Sequence, residues 1–158
     1  MWNGNLRRKN SGLTLVEVIV AMLVIAIAAL GISSFRYQAA LDARRADAQL
    51  TAARTGLLLT EGWRGIRGET TYDPVADFGS VLTIAASNNG PAAPNGFTPL
   101  GTYRIEAGHA YYYATLSWQD AAAGLRALHV AVAWEQRGKA AAYSNADKTF
   151  LLTTYAHY

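Results

Sequence analysis

Residues 7–35 read RRKNSGLTLVEVIVAMLVIAIAALGISSF, and within 13–35 the one ionisable side chain is Glu17. A helix of that length spans roughly 34 Å at about 1.5 Å per residue, enough for a hydrocarbon core of about 30 Å. The run is apolar on every side rather than along one stripe, which suits lipid or a fully covered position better than a water-facing surface. Arg7, Arg8 and Lys9 precede it, and only Arg36 follows closely. The positive-inside bias therefore predicts a cytoplasmic N-terminus and a C-terminal remainder on the far side of the membrane.

The rest of the composition narrows the class. The chain has 158 residues, 51% of them hydrophobic, with four prolines and no cysteine. That is enough apolar material for one domain with a core, and too much for a disordered or collagen-like chain. Without cysteine there is no disulfide scaffold, no zinc–thiolate site and no thiol nucleophile. A formal charge of +3 raises the question of a nucleic-acid binder. Setting aside Arg7, Arg8 and Lys9, however, the 14 basic residues fall to 11, equal to the 11 acidic ones. The basicity is a property of the N-terminus and argues for no general phosphate-binding surface.

A secretory signal peptide also has a basic start and an apolar run, but its apolar region is about 7–15 residues long and ends at a small-x-small cleavage site. Here the run is longer and no such site ends it. Glu17 is also foreign to that pattern, since a carboxylate in hydrocarbon is costly unless paired and is a functional candidate by default.

The sequence Arg7-Arg8-Lys9-Asn10-Ser11-Gly12, followed by Leu13-Thr14-Leu15-Val16-Glu17-Val18 and the apolar run, resembles the class III signal of type IV prepilins and type II secretion pseudopilins. The resemblance implies removal of 1–12 by a membrane-embedded aspartyl prepilin peptidase cutting between Gly12 and Leu13. It also implies N-methylation of Leu13, an inner-membrane anchor and filament-core helix over 13–35, and a globular part over 36–158. Glu17 would pair with the Leu13 amine of a neighbouring subunit already in the filament. Breaking such a buried pair from one side costs about 3–5 kcal/mol, so the pair would check register during assembly. The pair is expected to be intermolecular, so nothing in a single chain can satisfy it. Major pilins usually carry Gly and Pro in the membrane-proximal helix, whereas this segment has Gly31 and Ser33-Ser34 but no Pro. The departure favours a minor subunit.

Beyond Ser34 the pattern turns amphipathic without a break, predicting one continuous helix whose second part covers 36–66. Ala39, Ala43, Ala46, Leu50, Ala53 and Leu57 share one face and are expected to be the seam that meets a sheet. Helicity should fail over 62–68, where Gly62, Gly65 and Gly68 accumulate. Residues 69–101 hold all four prolines and read as a variable connection with one short strand at 81–85, a candidate specificity surface. Period-two alternation over 102–107, 109–118 and 125–135, with a last strand over 150–158, predicts an antiparallel meander buried on one side. The expected fold is α+β and pilin-like, a long N-terminal helix packed on a small antiparallel sheet. The strand from His129 to Trp134 is similar to a late strand of V-type minor pilins and I-type minor pseudopilins.

The sequence points to no catalytic constellation and no cofactor. His109, His129 and His157 lie on separate strands without metal-ligand spacing, so no metal site is expected. Asp73 and Asp77 match no calcium loop and read as turn residues. Tyr111-Tyr112-Tyr113, Tyr155 and Tyr158 could stack on single-stranded DNA in a competence pilin, but without a basic surround they read as packing residues. The expected function is that of a non-enzymatic structural subunit, a minor pilin or pseudopilin that initiates or caps a type IV pilus or secretion pseudopilus. Its partners would be the prepilin peptidase/methyltransferase, other subunits and the inner membrane. The alternatives are an adhesion or competence pilin binding a surface or DNA, and a single-pass anchored extracytoplasmic binding domain without a filament.

Overall fold

A computed structural model describes residues 14–108, 110–136 and 142–158. The chain divides into two compact units, residues 1–42 and 43–158. A single α-helix, α1 (Leu15–Gly65), contributes to both. In the first unit the described residues are α1 and its cap. An 18-residue window of this helix is apolar enough to cross a membrane, and none of it is buried. No proline interrupts α1, and Ser33 Oγ donates back to Ala29 O at 2.9 Å, so Gly31 and Ser33-Ser34 leave the helix continuous.

The second unit packs the C-terminal part of α1 on a five-stranded antiparallel meander in the order β1-β2-β3-β4-β5. Its strands are β1 (Thr83–Ser87), β2 (Thr98–Ala107), β3 (Ala110–Ala122), β4 (Leu125–Trp134) and β5 (Lys148–His157). This is the α+β, pilin-like arrangement that the sequence predicts. Alternation decides the inward face. Tyr103 and Ile105 of β2, Tyr112, Ala114 and Leu116 of β3, and Leu128, Val130, Val132 and Trp134 of β4 meet Ala52, Leu59 and Trp63 of α1 in one core. Leu59 and Trp63 are fully buried, each worth about 2–3 kcal/mol of transfer free energy.

The helix seam differs from the expected one. Ala39, Ala43, Ala46, Leu50 and Leu57 are exposed and Ala53 is only partly covered. The buried helix positions are Ala52, Thr55, Gly56, Leu59, Thr60 and Trp63. Two of these hide their character in the sequence. The Thr60 hydroxyl satisfies itself by donating to Gly56 O at 2.7 Å. Gly56 admits the Phe150 ring so closely that a Cβ there would lie 3.0 Å from it.

The helix ends in a Schellman arrangement. Gly68 N–H donates to Trp63 O and Arg67 N–H to Arg64 O, both at 3.0 Å, with Arg67 left-handed at φ 58° where glycine is usual. Gly68 follows at φ 71°, and a Cβ there would meet Leu128 at 2.9 Å. Gly68 is thus required both by its backbone angle and by the close approach of helix end to sheet.

Residues 69–101, read as a connection with one strand at 81–85, hold more structure than that. They contain a short helix, α2 (Pro74–Phe78), then β1 two residues later than predicted, and the first residues of β2. They also correct the expectation of one-sided burial, because Thr115 and Ser117 of β3 and Ala127, His129, Ala131 and Ala133 of β4 are buried on the outer face. The segment 88–97 crosses part of that face. Pro91 is buried, the backbone at Gly90 lies so close that a Cβ would sit 2.7 Å from Thr115 Oγ1, and the Phe97 ring is 5.6 Å from that of His129. Tyr143 adds an edge contact to Tyr113 at 5.7 Å. Part of the proline-rich stretch is therefore a structural cover.

Candidate functional site

The N-terminal signal is built on the first turn of α1. Gly12 and Leu13, the predicted cleavage and methylation positions, and Arg7, Arg8 and Lys9 of the basic leader lie outside the described residues. Thr14 and Glu17 lie within them. Thr14 Oγ1 accepts from the Glu17 N–H at 3.3 Å, and a Glu17 carboxylate oxygen accepts from the Thr14 N–H at 3.4 Å. With Leu15 as the first helical residue, this is a reciprocal capping box, a Thr at the N-cap and a Glu three positions on. The helix N-terminus presents unpaired N–H groups and partial positive charge, so a carboxylate is favoured there.

Within the chain the Glu17 carboxylate also accepts a long, local hydrogen bond. That bond involves one oxygen and a neutral donor, so it stabilises the helix start without neutralising the charge. The signal was present in the sequence as Thr-x-x-Glu before an apolar run, overshadowed by the larger motif that contains it.

Apolar side chains surround the carboxylate along the chain. Val16, Val18, Ile19 and Val20 are 67%, 40%, 56% and 55% exposed, and in water this would be a large uncompensated apolar area. The segment therefore combines an anionic group at a helix start with a long apolar surface in need of lipid or protein cover.

In the second unit the other candidate side chains take structural positions. Asp73 caps α2 by accepting from Val75 N–H at 3.0 Å, in keeping with a turn role, and Asp77 lies in the same helix. His129 is buried beside Thr153 Oγ1 at 2.8 Å, and burial lowers its pKa. His157 Nδ1 lies 3.3 Å from Gly124 O, and His109 is outside the described residues. Tyr112 is a core residue whose hydroxyl donates to Ala48 O at 3.3 Å. Tyr113 is buried against Tyr143, and Tyr111 stacks under Arg104 at 5.3 Å. Tyr155 is exposed on β5.

One cluster went unnoticed in the sequence. Arg126 lies between the rings of Trp118 and Tyr158, each 4.3 Å from its guanidinium carbon. Its Nε donates to Asp120 at 2.8 Å and its Nη1 to Gly68 O at 3.0 Å. The guanidinium thus ties the end of α1, strand β3 and the C-terminal residue together, and lines an open depression of about 400 Å³ with Arg67, Glu69, Thr70 and Thr71. Asp120 and Arg126 are register partners across the β3–β4 hairpin, the one part of the cluster that strand pairing would have exposed.

Comparison with protein families matches residues 7–33 to the prokaryotic N-terminal methylation motif. The match spans the basic leader, Gly12, Leu13, the Thr14–Glu17 box and most of the apolar run, and supports a class III prepilin-like signal. No curated protein and no solved structure matches the chain.

Proposed function

We propose that the chain is a minor pilin or pseudopilin, cut after Gly12, N-methylated at Leu13, and added to a type IV pilus or type II secretion pseudopilus that it initiates or caps. The observation that carries this reading is the continuity of the methylation motif with a capped helix whose apolar span has no buried residue. A cleaved secretory signal would discard such a helix. A prepilin keeps it, first as an inner-membrane anchor with the globular unit in the periplasm and then as the part that neighbouring subunits cover.

In this reading Glu17 has two successive partners. In the membrane its carboxylate caps α1 through the Thr14 N–H. In the filament the methylated Leu13 amine of a neighbour supplies the opposite charge that the cap lacks, and an incorrectly seated subunit would leave that charge buried and unpaired. The role is mechanical and not enzymatic. The partners are the prepilin peptidase/methyltransferase and other subunits of the filament. A continuous helix without proline favours a minor subunit, since the segment has no built-in point at which to melt.

The test is Gly12→Val. A peptidase whose subsite fits a glycine without a side chain should leave this variant as an uncut precursor in the inner membrane, while the parent is shortened. A parent and variant of equal mass would make this an ordinary anchored domain instead.

A further inference from the structure

The segment 88–97 lies over the outer face of β3 and β4 without joining the sheet. None of its residues belongs to a strand. Its hydrogen bonds include local ones, from Phe97 N–H to Pro94 O at 3.0 Å and from Asn89 N–H to Ser87 Oγ at 3.1 Å. It meets the face at Gly90, close on Thr115, at Gly96, where a Cβ would lie 3.4 Å from Gln119, and at Phe97, against His129. Ser117 stands between Thr115 and Gln119 on that face of β3 and is fully buried.

What lies beneath this strap is poorly matched to burial. The hydroxyls of Thr115 and Ser117 find no hydrogen-bond partner among the described residues, a cost that exposure to water relieves. His129 is 6% exposed, with Thr153 Oγ1 2.8 Å from its Nδ1 and no second hydrogen-bond partner among the described residues. A neutral ring needs one donor and one acceptor, whereas an imidazolium donates from both nitrogens and is costly to bury uncompensated. The groups packed on it are Phe97 of the strap, Thr153 of β5 and its register partner Ser117 of β3, none of them charged. The strap has no titratable side chain. The titratable or charged groups elsewhere on this sheet face, Tyr113 of β3 with its partner Arg104, and Tyr155 and His157 of β5, lie further along the strands. Burial accordingly lowers the His129 pKa.

We propose that 88–97 is a lid, closed over neutral His129 and lifted when that ring takes up a proton, baring Thr115, Ser117 and the imidazolium to solvent. Its ends stay in place, since Ser87 pairs with Thr102 and Thr98 with Trp118. The inference rests on the second unit alone and is independent of cleavage and assembly.

Because the chain has no cysteine, Thr115→Cys in the full-length protein in detergent reports opening through its labelling by dithiodipyridine. The rate is taken relative to the same thiol in denatured protein at each pH, which removes the thiol's own titration. Between pH 7.5 and 5.0 the relative rate should rise by up to about thirty-fold, the ceiling for a ring that is protonated only with the lid open. Adding His129→Gln should remove the rise, which also separates His129 from His157. Val130→Cys, fully buried on the inner face, should label far more slowly at both pH values because the sheet stays paired. Phe97→Ala tests the lid without altering the histidine: it should speed labelling of Thr115→Cys at pH 7.5 and move the NMR titration of His129 up towards its ordinary value. A rate at residue 115 that does not rise with acid, or rises equally in His129→Gln, would overturn the proposal. So would a rate that falls, with Phe97 then holding the imidazolium in place, or equal rates at 115 and 130, with the domain then opening only as a whole. An unmoved His129 titration in Phe97→Ala would overturn it as well.

Discussion

Replacing Glu17 by Gln separates the two parts that one carboxylate is assigned. The amide oxygen of Gln can still accept from the Thr14 N–H, now 3.4 Å from the carboxylate, because Glu and Gln both serve at this position of a capping box. The charge is gone. If assembly needs only the cap, Glu17→Gln should behave like the parent. If assembly needs the carboxylate as partner of a neighbouring amine, the variant leaves that amine buried and unpaired, at a cost of about 3–5 kcal/mol, or a loss of roughly a hundred- to several-thousand-fold in the assembly constant. Thr14→Ala does the converse. It removes the hydroxyl that accepts from Glu17 N–H at 3.3 Å and keeps the charge, costing about 0.5–2 kcal/mol, or roughly two- to thirty-fold. Both variants should be processed, since neither touches Gly12 or Leu13. The assay is the amount of each mature variant that co-sediments with sheared filaments at matched membrane levels. The expected order is parent, then Thr14→Ala, then Glu17→Gln at background. Normal co-sedimentation of Glu17→Gln, or equal defects in the two variants, would refute the charge-pair argument and leave Glu17 a helix cap.

Two further predictions concern the second unit. Its separate core should let a fragment of residues 43–158 unfold cooperatively in urea, and in it Arg126→Met should cost about 2–4 kcal/mol, because Gly68 O loses its donor and two aromatic rings lose their cation. Arg126→Lys should recover only part of this, since one ammonium cannot reproduce the planar fork; a midpoint unchanged in Arg126→Met would show that the cluster ties nothing together. Burial holds the His129 pKa below its ordinary value near 6.5, so the unfolded chain takes up this proton first. The contribution of His129 is therefore nil above neutrality and increasingly destabilising as pH falls from about 6.5 through the folded value. His129→Gln should flatten that limb of the stability profile, and identical acid limbs in parent and variant would contradict the burial argument.

What could be read in the sequence, and what could not, follows from how far each signal reaches along the chain. A lone carboxylate in an apolar run, and strands such as 125–135 whose bulky residues alternate, are local patterns and led directly to the signal and the sheet. The helix seam differs from the apolar stripe because its key positions are not apolar by type. Gly56 contributes the absence of a side chain, and Thr60 hides its hydroxyl in its own helix. The alanine and leucine stripe that seemed the better seam points elsewhere. The cover over the outer face is not legible in one dimension, because prolines at 91 and 94 signal a break in regular structure and say nothing about where the chain is laid. The Arg126 cluster joins residues 68, 118, 120 and 158, and only the pairing across the hairpin brings any of them together in one dimension.

The most direct test of the account is the mass of the membrane-extracted protein, intact and as its N-terminal peptide, from hosts with and without a prepilin peptidase. The account predicts a mature chain beginning at methylated Leu13 in the first host and the full precursor in the second. A chain that keeps residues 1–12 in a host that processes other prepilins would contradict it.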